Sequence, residues 1–65
     1  MHTLYIRSTR VVETIFSVQK IASGMWDARK MESYTSEPDN EVYAQARTRK
    51  ELLARIDLKY EAENK

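Results

Sequence analysis

The chain has 65 residues, no cysteine, one glycine and one proline, and its 11 basic and 10 acidic side chains give a net charge of +1. A chain of this length supports one small core at most, and the absence of cysteine excludes a disulfide framework and a thiolate metal site. Proteins held to nucleic acid mainly by phosphate contacts carry a much stronger positive balance, so any charge-driven function has to come from a local patch.

The N-terminus lacks the charged start and long apolar run of a signal peptide. No apolar stretch approaches the roughly 20 residues of a membrane-spanning helix. Together with the missing cysteines, these features predict a soluble cytoplasmic protein that forms one domain over residues 1-65 and has no membrane partner.

The first predicted element is a short strand over residues 3-7. Its apolar residues Leu4 and Ile6 alternate with Tyr5 and Arg7, which is the period of a half-buried strand. We expect the strand to end at the polar residues that follow it.

Residues 11-22 fit two patterns. Their apolar residues lie at helical spacing, but Val, Ile, Thr and Phe are the residue types enriched in strands. The turn dipeptide Ser23-Gly24 favours the strand, because it can connect two extended segments. The sequence therefore predicts a hairpin of residues 11-22 with residues 25-34.

A two-residue loop at Ser23-Gly24 fixes which residues face one another across this hairpin. The expected opposed pairs are Ala22 with Met25, Ile21 with Trp26, Lys20 with Asp27, and Phe16 with Met31. Both faces would then carry large apolar side chains. One face would hold Val12, Phe16, Val18, Met25 and Met31, and the other would hold Ile15, Ile21, Trp26 and Tyr34.

The polar run at residues 35-40 contains the single proline and predicts a loop. A last strand is predicted over residues 41-47. In it the small residues Ala44 and Ala46 share one face with Val42, where they would let a helix come close, and Tyr43 points to the other face.

Thr48 followed by Glu51 matches a capping box, which predicts a helix over about residues 49-62. Glu51 and Arg55 form a favourable ion pair one turn apart, whereas Leu58 lies off the apolar stripe and is expected to be exposed. The stripe consists of Leu52, Leu53, Ile56 and Tyr60. The predicted fold class is α+β, a three- or four-stranded antiparallel meander followed by one C-terminal helix packed on one face.

The residue types that catalysis and metal binding require are scarce. The chain has one histidine, His2, near its terminus, and too few glycines for a phosphate-binding loop. We therefore expect no enzymatic activity, no metal, no cofactor and no small-molecule substrate.

Three basic residues, Arg47, Arg49 and Lys50, surround the predicted helix start. Basic side chains there oppose the helix dipole, so they indicate either an anion-binding site or side chains that simply reach into solvent. Together with Arg29 and Lys30 they could extend into a basic and aromatic surface for nucleic acid.

Two runs carry a family resemblance, Gly24-Met25-Trp26-Asp27-Ala28-Arg29 and Thr48-Arg49-Lys50-Glu51-Leu52-Leu53. With the strand between them they resemble the N-terminal arm-type DNA-binding domain of phage tyrosine integrases, over about residues 10-60. In that family a three-stranded sheet followed by a helix is laid into the DNA major groove. The resemblance implies that the sheet of this chain could contact DNA.

Apolar side chains on both faces of the sheet indicate a second kind of surface. A single helix covers one face only, so the other face is either buried by strong twisting of the sheet or used as an interface. The residues proposed for a protein contact are Trp26, Tyr34, Tyr43 and Leu58. We interpret the chain as a small accessory or inhibitory protein of the phage or mobile-element type that binds a protein partner or a second copy of itself, with DNA binding as the alternative.

Overall fold

A computed structural model of the chain describes residues 3–64. Four antiparallel strands form one sheet in chain order, and a C-terminal helix packs across one face, so the predicted α+β fold class is confirmed. The elements are β1 (Thr3–Ser8), β2 (Glu13–Lys20), β3 (Trp26–Met31), β4 (Ala44–Ala46) and α1 (Arg49–Glu63). The prediction of a strand rather than a helix within residues 11-22 is also confirmed.

The connection between β1 and β2 is a turn built on Thr9. Its backbone N–H donates to the carbonyl of Val12 at 2.7 Å, and its hydroxyl accepts from the Val12 N–H at 3.1 Å. At the turn, the side-chain hydroxyl of Thr9 therefore satisfies a backbone N–H that has no partner on the neighbouring strand. As a result Val11 and Val12 lie outside β2, which begins two residues later than predicted.

The connection between β2 and β3 is a three-residue loop, and the predicted two-residue loop is wrong. Ile21 pairs with Met25 through an N–H to carbonyl bond of 2.8 Å, and Gly24 adopts φ 88°. A turn followed by a glycine in the left-handed region is a common three-residue hairpin. Its extra residue moves the register by one, so Lys20 lies opposite Trp26 and not Asp27.

This shift changes which residues share a face of β3, because neighbouring residues of a strand point to opposite sides. Phe16 lies opposite Lys30 rather than Met31, and Trp26 shares a face with Phe16 rather than with Ile15. The prediction therefore placed the apolar residues of β3 on the wrong face relative to those of β2.

The core lies between α1 and the sheet. Its buried members are Phe16, Val18, Ala28, Ala46, Leu52, Ile56 and Tyr60. Phe16 is at the centre, with ring centroids 4.8 Å from Tyr43 and 6.4 Å from Tyr60. Leu52, Ile56 and Tyr60 are the buried face of α1, as the apolar stripe predicted.

The helix begins with the predicted cap. The Thr48 hydroxyl accepts from the Glu51 N–H at 3.1 Å, while the Glu51 carboxylate accepts from Arg55 at 3.0 Å. At the other end the Asn64 side chain donates to the Tyr60 carbonyl at 2.8 Å, so the helix continues to Glu63 rather than fraying after residue 62.

The segment between β3 and β4 is longer than predicted, because β3 ends at Met31 and β4 begins only at Ala44. The small side chains of Ala44 and Ala46 lie under α1, as expected. Tyr43 precedes the strand, so strand alternation does not extend to it. Its ring packs on Phe16 on the helix side of the sheet, and the prediction that Tyr43 points away from this side is wrong.

Candidate functional site

The face of the sheet opposite α1, called the open face below, carries the most distinctive surface of the molecule. The register of the strands arranges its side chains in four rows across the sheet. These rows are Ser8–Glu13, Ile6–Ile15–Met31, Leu4–Ser17–Arg29 and Gln19–Asp27–Gln45. The open face therefore carries its apolar side chains in one row and at the neighbouring Leu4, with polar side chains on both sides.

We call the apolar part, formed by Leu4, Ile6, Ile15 and Met31, the apolar strip. Ile15 and Met31 lie on the inner strands β2 and β3 and are only 5% and 8% exposed, although α1 packs on the other face. Leu4 and Ile6 lie on the edge strand β1 and are 37% and 40% exposed. The apolar strip is therefore buried where it crosses β2 and β3 and exposed to solvent where it reaches the edge strand β1.

The polar part of the open face is organised around Asp27, which is buried. One carboxylate oxygen lies 3.6 Å from the Arg29 guanidinium, and the other has no hydrogen-bond partner among residues 3–64. Arg29 also donates to the backbone carbonyls of Asp39 at 3.0 Å and Asn40 at 2.6 Å. The charge of Arg29 is therefore balanced, and its guanidinium is held against the chain.

Tyr34 ties the segment after β3 to the start of β2. Its hydroxyl donates to the Glu13 carboxylate at 2.7 Å, and this hydrogen bond raises the pKa of Tyr34. Glu13 precedes Ile15 by two residues and points to the same side of β2. The 54% exposed ring of Tyr34 is therefore held at the Glu13 end of the open face.

The four residues predicted for a protein contact lie on different surfaces. Tyr34 is exposed and held at the end of the open face, whereas Trp26 and Tyr43 are half-buried and pack against the core on the helix side. Leu58 is 71% exposed on α1, away from the buried stripe, which agrees with its predicted exposure. Only Tyr34 belongs to the open face.

The five basic residues predicted for anion or nucleic-acid binding also lie on different surfaces. Arg47, Arg49 and Lys50 are exposed at the start of α1, and within residues 3–64 none of them takes part in an ion pair. Arg29 points to the open face. Lys30 points to the helix side near the other end of α1, where its Nζ lies 5.1 Å from the centroid of the Tyr43 ring. The structure brings three of the five together.

A polar groove of about 310 Å³ lies beside the C-terminal part of α1. Its lining residues are Lys30, Asp39, Glu41, Val42, Tyr43, Lys59 and Glu63. The ring of Tyr43 has a second ammonium group near it, the Nζ of Lys59 at 4.2 Å from its centroid, and its hydroxyl donates to Glu63 at 2.7 Å. Burial and this hydrogen bond raise the pKa of Tyr43. The groove mixes both charge signs, so it does not favour a ligand of one charge.

Groups that could support metal chemistry do not converge in the described part of the chain. Within residues 3–64 no three His, Cys, Asp or Glu side chains are placed to hold a metal ion. The only histidine, His2, lies outside the described residues. None of the helices among these residues is both long and apolar enough to cross a membrane.

Comparisons of the chain with protein-family models, with curated proteins and with solved structures gave no match. They lend no support to the resemblance to the arm-type domain of tyrosine integrases.

The apolar strip is the feature that the sequence predicted least well. Alternation in residues 3-7 correctly placed Leu4 and Ile6 on one face of β1. The pairing of Ile15 with Met31 was missed because the hairpin loop is one residue longer than expected. A third loop residue, Ala22, was the available signal, since a glycine at the end of a three-residue loop is a known alternative to a two-residue loop.

Proposed function

We propose that this chain is a small non-enzymatic binding protein, an accessory or inhibitory protein that docks on a protein partner through the open face. The observation that carries the proposal is the apolar strip, which lies beside a polar region where the charge of Arg29 is balanced by Asp27. Leu4 and Ile6 are more than a third exposed next to the buried Ile15 and Met31. An apolar centre with a polar rim is the usual composition of a protein interface.

The electrostatics of the open face favour a protein over a nucleic acid as the partner. Arg29 is paired with Asp27 and bonded to two backbone carbonyls, so its charge is not available to a phosphate. The basic side chains that form no ion pair within residues 3–64 include Arg47, Arg49 and Lys50, which lie at the start of α1 instead. A DNA-binding sheet, the alternative, requires phosphate contacts around the contacting surface. The DNA-binding alternative is supported by these three basic residues alone.

The proposal is tested by placing a charge in the apolar strip. Ile6→Glu puts a carboxylate at the centre of the proposed contact, whereas Leu58→Glu makes the same chemical change at an exposed position on α1. Tagged protein of each kind is used to capture partners from a lysate of the organism that encodes the chain, with and without nuclease. Captured proteins are quantified, and the direct interaction is measured with the purified partner.

We expect a nuclease-resistant partner that binds the wild type and the Leu58→Glu variant with similar affinity. Ile6→Glu is expected to weaken binding at least tenfold, because a carboxylate buried in an apolar contact loses its hydration. Circular dichroism checks that both variants remain folded. Undiminished binding by Ile6→Glu would contradict the proposal. Capture that disappears with nuclease and with Lys50→Ala would favour the DNA-binding alternative.

A further inference from the structure

The two edges of the sheet differ in how they are protected. β1 has six residues and pairs with β2 on one side, and within residues 3–64 no strand pairs with its outer side. The other edge strand, β4, has only three residues. An unpaired edge presents a row of backbone N–H and C=O groups, so a long free edge is a template for another strand. β1 is the edge able to accept one.

β1 also lacks the residues that usually block such pairing. It contains no proline, glycine or lysine, and its one charged side chain is Arg7. The Arg7 guanidinium is turned onto α1, where it bonds to Asp57 and lies 5.0 Å from the centroid of the Tyr60 ring. The only charge on the strand is therefore held away from the edge. Natural edge strands are commonly protected by an exposed charge, a proline or a bulge.

We propose that β1 pairs with β1 of a second copy of this chain, in antiparallel orientation about a two-fold axis, with Tyr5 opposite its own counterpart. In an antiparallel pair directly opposed residues share a face of the sheet. This register therefore places Leu4 of each copy opposite Ile6 of the other on the open face. Arg7 of each copy lies opposite Thr3, so no like charges face each other.

The partial exposure of Leu4 and Ile6 favours this register. Each has a neighbour on β2, Ser17 or Ile15, but none on its outer side within residues 3–64. Pairing gives each an apolar neighbour from the second copy and joins the two apolar strips into one band across a continuous sheet. Shifting the axis to Ile6 would set Leu4 opposite the polar Ser8, which leaves it without an apolar neighbour.

This inference goes beyond the docking function, because it concerns a contact between two copies of the chain through the backbone edge of β1, although Leu4 and Ile6 take part in both contacts. The first measurement is the mass of the wild-type chain in solution by analytical ultracentrifugation. We expect a dimer. Leu4→Lys places a charge opposite Ile6 of the other copy and should reduce the mass to that of one chain, whereas Leu58→Lys, an equally large change on α1, should leave the dimer intact.

The register is tested by disulfide formation, for which the chain offers a clean background because it has no cysteine. Tyr5→Cys places the two thiols side by side at the axis, and we expect rapid cross-linking of the dimer under mild oxidation. In Ser8→Cys the thiols are displaced by roughly 20 Å along the strands, so this variant should stay unlinked.

A wild-type chain that sediments as a monomer overturns the proposal, as does a dimer that survives Leu4→Lys. A dimer that cross-links at Ser8, or in which Tyr5→Cys chains stay unlinked, also overturns it. None of these results depends on the capture of another protein. A wild-type monomer that still captures a partner therefore overturns β1 pairing alone, and a wild-type dimer that captures no partner overturns the docking function alone.

Discussion

At the scale of single residues, Tyr43 joins the core to the end of α1. Its ring contacts Phe16, while its hydroxyl donates to the Glu63 carboxylate. The backbone carbonyl of the same residue accepts a hydrogen bond of 3.0 Å from Lys59. One residue before β4 thereby connects the core to two residues in the last turns of α1.

The raised pKa of Tyr43 makes stability depend on pH in the alkaline range. Burial comes first and the hydrogen bond to Glu63 second in raising this pKa above its ordinary value of 10.0. The folded state therefore retains the phenolic proton more strongly than the unfolded state does. This contribution is complete below about pH 10 and is lost as the pH rises towards the folded-state pKa.

We expect the free energy of unfolding to fall between about pH 8 and about pH 11, and to fall less in Tyr43→Phe, which has no proton to lose there. Urea unfolding at both pH values measures the difference. Tyr34→Phe serves as the control, because Tyr34 bonds to Glu13 in the same way but is exposed. Equal pH dependence in the wild type and Tyr43→Phe would show that Tyr43 has no such role.

At the scale of elements, the turns decide how the strands combine. The loop between β2 and β3 closes with Gly24 at φ 88°, and apart from its two chain neighbours no residue within 3–64 has a heavy atom within 4 Å of where a Cβ would lie. The glycine is therefore required for its backbone conformation and not for space. The register that follows from this loop determines which residues share the core.

Gly24→Ala should destabilise the fold by about 1 kcal/mol, since the left-handed conformation costs a residue with a Cβ roughly 1–2 kcal/mol. Gly24→Asn should cost less, because asparagine tolerates this region better than alanine does. Chemical unfolding of the wild type and the two variants ranks their free energies of unfolding. If alanine and asparagine were equally tolerated, the loop would have to adopt another conformation in solution.

At the scale of the whole molecule, a polar cluster joins β1 to α1. The Asp57 carboxylate accepts from the Tyr5 hydroxyl at 2.6 Å and from the Arg7 guanidinium, and Arg7 also lies 3.7 Å from Glu61. The hydrogen bond to Asp57 is the main reason that the pKa of Tyr5 is raised. The edge strand is thus fastened to the helix by side chains separated by about fifty residues in the chain.

Asp57→Asn should lower the urea midpoint, because it weakens two contacts between β1 and α1 at once. Glu51→Gln is the matched control, since it changes a carboxylate on the same helix whose pairing with Arg55 is local and largely exposed. We expect a clearly smaller effect of Glu51→Gln. Amide exchange in β1 should quicken in Asp57→Asn alone, and equal effects of the two variants would argue against a fastening role.

Much of the fold follows from local patterns. Alternation predicted β1, the capping pair of Thr48 and Glu51 predicted the start of α1, and the apolar stripe predicted its buried face. These features depend on residues a few positions apart, so the sequence contains them directly. The exposure of Leu58 followed for the same reason.

The residue pattern is therefore sufficient to predict the set of elements and the helix face that meets the sheet. Three features depend on tertiary packing instead: the register between β2 and β3, the side of the sheet that α1 covers, and the separation of Arg29 and Lys30 from the basic residues at the helix start. A single additional loop residue reverses which neighbours share a face. Local propensity scarcely distinguishes the two loop lengths, whereas packing of Phe16, Ala28 and Ile56 in one core favours only one of them.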